Sequence, residues 1–168
     1  MGGTDHFASR LISLIESDAV ELTRRTIEIL QTSSHTPAYR HLSFDALHGK
    51  VFDVYHQFGR WVIENTDIAI RTRYRALGEQ RCQEGIPLHE LLWALVLTKD
   101  YLRRHLSAWA LADSALELYR QQELDRIVAQ FFDRAMCYAA EGYEHARQNA
   151  ERAEPVRVAI PNASFLAP

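Results

Sequence analysis

Glu84-Gly85-Ile86-Pro87-Leu88-His89-Glu90 is the stretch that decides the fold. Helical spacing runs into it from the arginine-rich segment 68–83. A strongly apolar run, Leu91-Leu92-Trp93-Ala94-Leu95-Val96-Leu97, leaves it. Glycine takes the left-handed conformation that closes a helix without a Cβ penalty, so Gly85 marks the end of one helix. Proline cannot continue a helix but suits the first turn of a new one, so Pro87 marks the start of the next. The stretch therefore predicts a sharp turn between two helices. It carries no catalytic signature.

Outward from this turn, glycine and proline are sparse and fall between long periodic segments, which predicts an all-α bundle of about five helices. The first helix is expected from Asp5 to Gln31, with Leu11, Leu14, Ile15, Ala19, Leu22, Ile29 and Leu30 on its apolar stripe. Asp18 and Glu21 have the spacing of a break, but the stripe continues through them and predicts one helix. After the polar loop 32–37, Ser43 is a candidate N-cap for a second helix, Phe44 to Glu64. Its buried stripe is expected to be Leu47, Val51, Val54, Tyr55, Phe58, Trp61 and Val62. Asn65-Thr66-Asp67 offers a cap for the third helix, although the second could also run into it without a sharp turn. The fourth is expected from Leu88 to Leu111 and, being apolar nearly all round at its start, at the bundle centre.

The fifth helix starts near Asp113 or Ser114 and reaches Glu154. It carries two apolar stripes. One holds Leu124, Ile127, Phe131, Ala135 and Tyr138, the other Val128, Phe132, Met136, Ala139 and Tyr143. A helix apolar on two sides needs two partners, so a homodimer is expected through Leu124, Val128, Phe131, Phe132, Ala135 and Tyr138. The organisation is one helical module, 1–154, followed by a tail or linker, 155–168, whose Val156, Val158 and Ile160 alternate as in a short strand.

Composition bounds the function. The 168 residues include 47% hydrophobic ones, which suits a globular core. A formal net charge of −3 gives no overall attraction to nucleic acid or to an anionic membrane. No apolar run approaches the length of a membrane span, and Met1–Arg10 lacks the pattern of a signal peptide. Cys82 and Cys137 are far apart with no metal or redox spacing, and are expected as half-buried reduced thiols in a cytoplasmic protein.

Candidate chemistry is thin. His48 and His56 share one face of the second helix among aromatic residues, as a haem-facing pair does, but partly exposed histidines at the margin of a stripe look the same. Glu141, Glu144 and His145 lie together, yet a di-iron site needs Glu-x-x-His on two helices, and only solvated helix charges are expected here. His89 and Glu90 are adjacent, so they diverge on a helix and make a poor metal pair. Arg71, Arg73 and Arg75 alternate by two and spread around a helix, with Glu64, Asp67, Glu79 and Asp100 as possible partners. Arg103-Arg104-His105 is too short for a nucleic-acid face. A hydrophobic ligand pocket beside Trp93 and Tyr101 is the remaining candidate site. No phosphate loop, dinucleotide fingerprint or nucleophile elbow is present, so no catalytic residue, metal ligand or cofactor is assigned.

Four segments in order carry a family likeness: Tyr39-Arg40-His41-Leu42-Ser43, Gly59-Arg60-Trp61, Arg73-Tyr74-Arg75-Ala76-Leu77-Gly78 and Gly85 through Leu95. Together, from about Leu11 to about Tyr138, they resemble the RsbR-type (RsbRD) N-terminal domain of bacterial stress and signalling proteins. The resemblance implies an all-α sensory or regulatory module, distantly globin-like but without haem, that dimerises. It also implies a downstream partner: a separate signalling protein, or a fused STAS, histidine kinase or transcription-factor output. A globin-like sensor of haem or a small hydrophobic ligand is the alternative.

Overall fold

The computed structural model describes residues 3–64, 66–109 and 115–153, and among these every regular element is helical. Helix α1 spans Gly3–Thr32 without a break at Asp18. Its stripe Ile15, Leu22, Ile27 and Leu30 is buried. Its outer face is laced by Glu21, Arg24, Arg25 and Glu28 at helical i, i+3 and i, i+4 spacing. A short 3-10 turn, Pro37–His41, follows.

Helix α2 spans Phe44–Glu64. Ser43 caps it: its Oγ accepts the Ala46 N–H at 3.2 Å, and its carbonyl accepts the Leu47 N–H. Leu47, Val51, Val54, Tyr55, Phe58 and Trp61 are buried as the periodicity predicts. The Tyr55 hydroxyl meets that of Thr26, 2.5 Å away, so α1 and α2 share a buried polar contact within an apolar seam. Helix α3 spans Asp67–Gln83. Thr66 is extended (φ −112°, ψ 135°), which separates α3 from α2 instead of letting them run on, and its side chain makes no capping bond.

Helix α4 spans Leu88–Trp109 and α5 spans Ala115–Ala153. The expected end of α4 at Leu111, the expected start of α5 at Asp113 or Ser114, and the tail with Val156, Val158 and Ile160 lie outside the described residues. The expectation that α4 sits at the bundle centre is corrected. Leu91, Ala94 and Leu95 are buried, but Leu92, Val96 and Leu97 are only half-buried and Trp93 is 39% exposed. The reason is position: α4 packs on α5, α1 and α3 from one side and leaves its other side open.

The centre belongs to α5. Phe131 lies 5.2 Å from Phe58, 5.8 Å from Trp61, 5.8 Å from Tyr74 and 5.2 Å from Phe132, ring centroid to ring centroid. All four are edge-on or tilted, the geometry aromatic quadrupoles favour. One α5 side chain thus ties α2 and α3 together.

The α3–α5 pair is the most extensive helix contact in the fold. Two glycines permit it. A Cβ built on Gly78 would lie 2.0 Å from the Ala139 carbonyl oxygen, and one on Gly142 would lie 2.0 Å from the Arg75 carbonyl oxygen. Each helix offers a glycine where the other's backbone passes. Ion pairs frame the crossing: Arg75 with Glu141 (3.8 Å), Arg134 with Asp67 (3.3 Å) and His145 with Glu79 (3.5 Å).

Candidate functional site

The turn between α3 and α4 is built as its residues dictate. Gly85 has φ +73°. The Gly85 N–H donates to the Cys82 carbonyl and the Ile86 N–H to the Arg81 carbonyl, both at 3.0 Å, which together form a Schellman motif. Ile86 is buried beneath it. The Pro87 carbonyl accepts the Glu90 and Leu91 N–H groups and so opens α4.

Charged side chains are drawn into this turn. Arg81 and Glu90 are almost fully buried. The Arg81 guanidinium lies 5.2 Å from the centre of the buried Tyr39 ring and donates to Glu84 at 2.6 Å. Lys50 of α2 donates to the other Glu84 oxygen at 2.8 Å. Burial works to raise the Glu84 pKa, but the hydrogen bonds from Lys50 and Arg81 outweigh it and hold the carboxyl below its ordinary value. Burial pushes the Tyr39 phenol up to about 12. Glu90 accepts the Ala38 N–H at 2.7 Å and so satisfies a backbone donor at the start of the 3-10 turn. The segment after α1, the middle of α2, the end of α3 and the start of α4 therefore meet at one polar node. It holds no nucleophile beside a base. Its chemistry is positional: it fixes how the halves of the bundle meet.

The sequence candidates fall elsewhere. His56 is exposed, and His48 lies on the outer face of α2 between Phe44 and Phe52, its ring 5.5 Å from the first and 6.1 Å from the second. The two share a face, and it points away from the core. Trp93 stacks on His35 at 3.9 Å. Tyr101 instead lines an open groove of about 710 Å³ between α1 and α4, with Arg25, Glu28, Ile29, Thr32, Arg104 and His105. Trp93 does not line that groove, so the two residues do not share it. Beside the groove His105 bonds Asp18 of α1 at 2.8 Å.

Leu124, Val128, Phe131, Phe132 and Ala135 are buried within the chain itself, and Tyr138 is half-buried against the same core. These positions, drawn from both apolar stripes, are thus covered within the same molecule, where α5 packs against α3, α4 and α2. Glu141, Glu144 and His145 turn to Arg75, Arg147 and Glu79 respectively. Among the described residues no group of three His, Cys, Asp or Glu side chains could hold a metal ion. Cys82 is half-buried as expected, but Cys137 is exposed. No described helix is long and apolar enough to cross a membrane.

Two features escaped sequence reading. Gly142 gave no signal, because a lone glycine in a helix does not name the backbone that will pass it. Glu90 occupies a position where acidic residues commonly favour a helix start, so its burial left no mark.

No curated protein and no solved structure matches the chain significantly. The model of one family, described as the RsbT co-antagonist protein rsbRD N-terminal domain, matches residues 20–157. That span takes in α2, α3, α4, the polar node and all of α5 to its end at Ala153. The chain accordingly belongs to the RsbRD N-terminal domain family, the regulatory domains of stress-response signalling proteins.

Proposed function

We propose that this chain is a non-enzymatic signalling input domain, residues 1–154, that works in the cytoplasm as a homodimer and through contact with a downstream protein. That partner is a separate signalling protein or an output of the STAS, histidine kinase or transcription-factor type, joined through 155–168. Nucleic acid and membrane have no part in the reading.

The observation that carries it is the shape of α5. The helix is 39 residues long, and its Phe131 holds the centre of the core. Its last stretch, residues 147–153, is exposed at every position. One continuous helix thus passes through the packed centre of the fold, at Phe131 and Phe132, and continues from there to an exposed end. A change in how α3 or α4 sits on α5 reaches the exposed end as a rotation or shift of that helix. Two arrangements of comparable stability are needed for such a shift to signal.

The test is a phasing series. A kinase or STAS output is joined after Ala153, with one to seven residues inserted before it. Each residue turns a helix by about 100°, so output should oscillate with insertion length and return near seven residues. Output independent of insertion length overturns the reading.

A further inference from the structure

Between α2 and α3 lies a small crevice of about 40 Å³, lined by Lys50 and Asp53 of α2 and by Arg73, Tyr74 and Gln80 of α3. Tyr74 is 1% exposed, and among the described residues its hydroxyl has no hydrogen-bond partner. The ring is well placed: it meets Phe131 edge-on, 5.8 Å from centroid to centroid. A buried hydroxyl left unpaired is costly, and folded proteins commonly satisfy such a group with an ordered water or ion. Burial raises the Tyr74 pKa, so the phenol keeps its proton and remains a donor at neutral pH.

The other lining groups are mostly donors. Arg73 engages Asp53 through its Nε at 2.5 Å, and Lys50 donates one N–H to Glu84 at 2.8 Å. A guanidinium has five N–H donors and an ammonium three, so both cations keep donors to spare. The Gln80 amide is held by its own bond to Glu84 at 2.9 Å. Two cations and a hydroxyl thus line the crevice against one carboxylate, Asp53, which Arg73 already neutralises. The complement to this lining is a single negative charge. Size narrows the choice further. A water needs about 10–15 Å³, so the crevice has room for about three, enough for a halide or a small oxyanion and far too little for a nucleotide or a haem.

We propose that the α2–α3 crevice binds a monovalent inorganic anion of chloride to nitrate size. The Tyr74 O–H, the Lys50 ammonium and the Arg73 guanidinium donate to it. Hydrogen bonds to an ionised acceptor are stronger than neutral ones, and the anion gives the buried hydroxyl the partner it lacks. The bound ion ties α2 to α3. Through Tyr74 it also borders Phe131, at the packed centre of α5. This gives the domain proposed above an input beside its output helix, but binding at the crevice does not depend on whether the domain signals.

The test is the linewidth of the chloride NMR signal in the presence of the full chain, at constant ionic strength. Chloride that exchanges with a protein site gives a broadened signal, and added nitrate should narrow it again by competition. Tyr74→Phe keeps the ring and removes only the hydroxyl, so it should weaken chloride binding at least about tenfold, the value of one hydrogen bond to a charged group. Arg73→Gln should weaken it at least about tenfold as well. Arg71→Gln is the control: it removes the same charge from the same helix, at an exposed residue that does not line the crevice. That variant should bind within about twofold of the parent. Circular dichroism checks that each variant folds, and the parent titration decides the matter if one does not. A parent chain that leaves the chloride line unbroadened holds water alone in the crevice, which overturns the proposal. Broadening that nitrate does not relieve, or that survives undiminished in Tyr74→Phe, overturns it as well. Equal losses in Arg73→Gln and Arg71→Gln would reveal a diffuse attraction to positive charge and have the same consequence.

Discussion

Replacing Gly78 by alanine should destabilise the protein, although alanine is the better helix former. The added Cβ lies 2.0 Å from the Ala139 carbonyl oxygen, 2.9 Å from its carbonyl carbon and 2.8 Å from the Tyr143 nitrogen. All three are backbone atoms of α5, so no side chain can swing aside. Ordinary contact begins near 3.4 Å, so α3 and α5 must separate by about 1.4 Å. Such overpacking costs about 1–3 kcal/mol, and a clash against backbone belongs at the top of that range. Alanine returns about 1 kcal/mol of helix propensity. The net loss is about 2 kcal/mol, and the melting temperature should fall by about 4–8 °C. Gly59→Ala is the control. Gly59 is also helical and buried, but nothing lies within 4 Å of its Cβ position, so alanine there should raise the melting temperature by about 2–4 °C. Calorimetry of both variants gives the answer. If Gly78→Ala melts at or above the parent, the close approach of α3 and α5 is refuted.

Three further outcomes follow from the same packing. Gly85→Ala meets no neighbouring atom but forces a Cβ into φ +73°, so it should cost about 1–2 kcal/mol in chemical denaturation without changing the slope. Glu90→Ala leaves the Ala38 N–H without its acceptor and should cost about 1–3 kcal/mol, whereas Glu90→Gln, which keeps an acceptor oxygen, should lose less. Alkali should unfold the protein. The Tyr39 phenol has a folded pKa of about 12 against an ordinary 10.0, and burial also raises Tyr55 and Tyr74. A raised pKa contributes stability that is complete below pH 10 and lost as pH climbs towards 12. Phenolate absorbance and helical circular dichroism should therefore change together in that window, and full phenol ionisation with helicity intact would count against buried tyrosines.

The sequence carried the periodic features and not the pairwise ones. The α2 stripe from Leu47 to Trp61, the Ser43 cap and the Gly85–Pro87 turn were legible, because each follows from local spacing or a single residue's conformational limits. The two stripes of α5 were legible as apolar, but not whose surface would cover them. Phe131 and Phe132 look the same on a helix buried by its own chain as on one buried by another. The apolar start of α4 suggested a central helix, and Trp93 and Leu97 lie near the surface because α4 has neighbours on one side only. His48 and His56 were placed on one face, but periodicity does not say whether that face looks inward. The Arg81–Glu84–Lys50 node joins residues up to 34 positions apart, and no local pattern reports such a meeting.

A signalling domain of the proposed design acts as a pair. Sedimentation of the unaltered chain over a wide concentration range tests it most directly. A dimer should appear as a particle of twice the 19.4 kDa chain mass that dissociates on dilution. A species of 19.4 kDa at every concentration would contradict it.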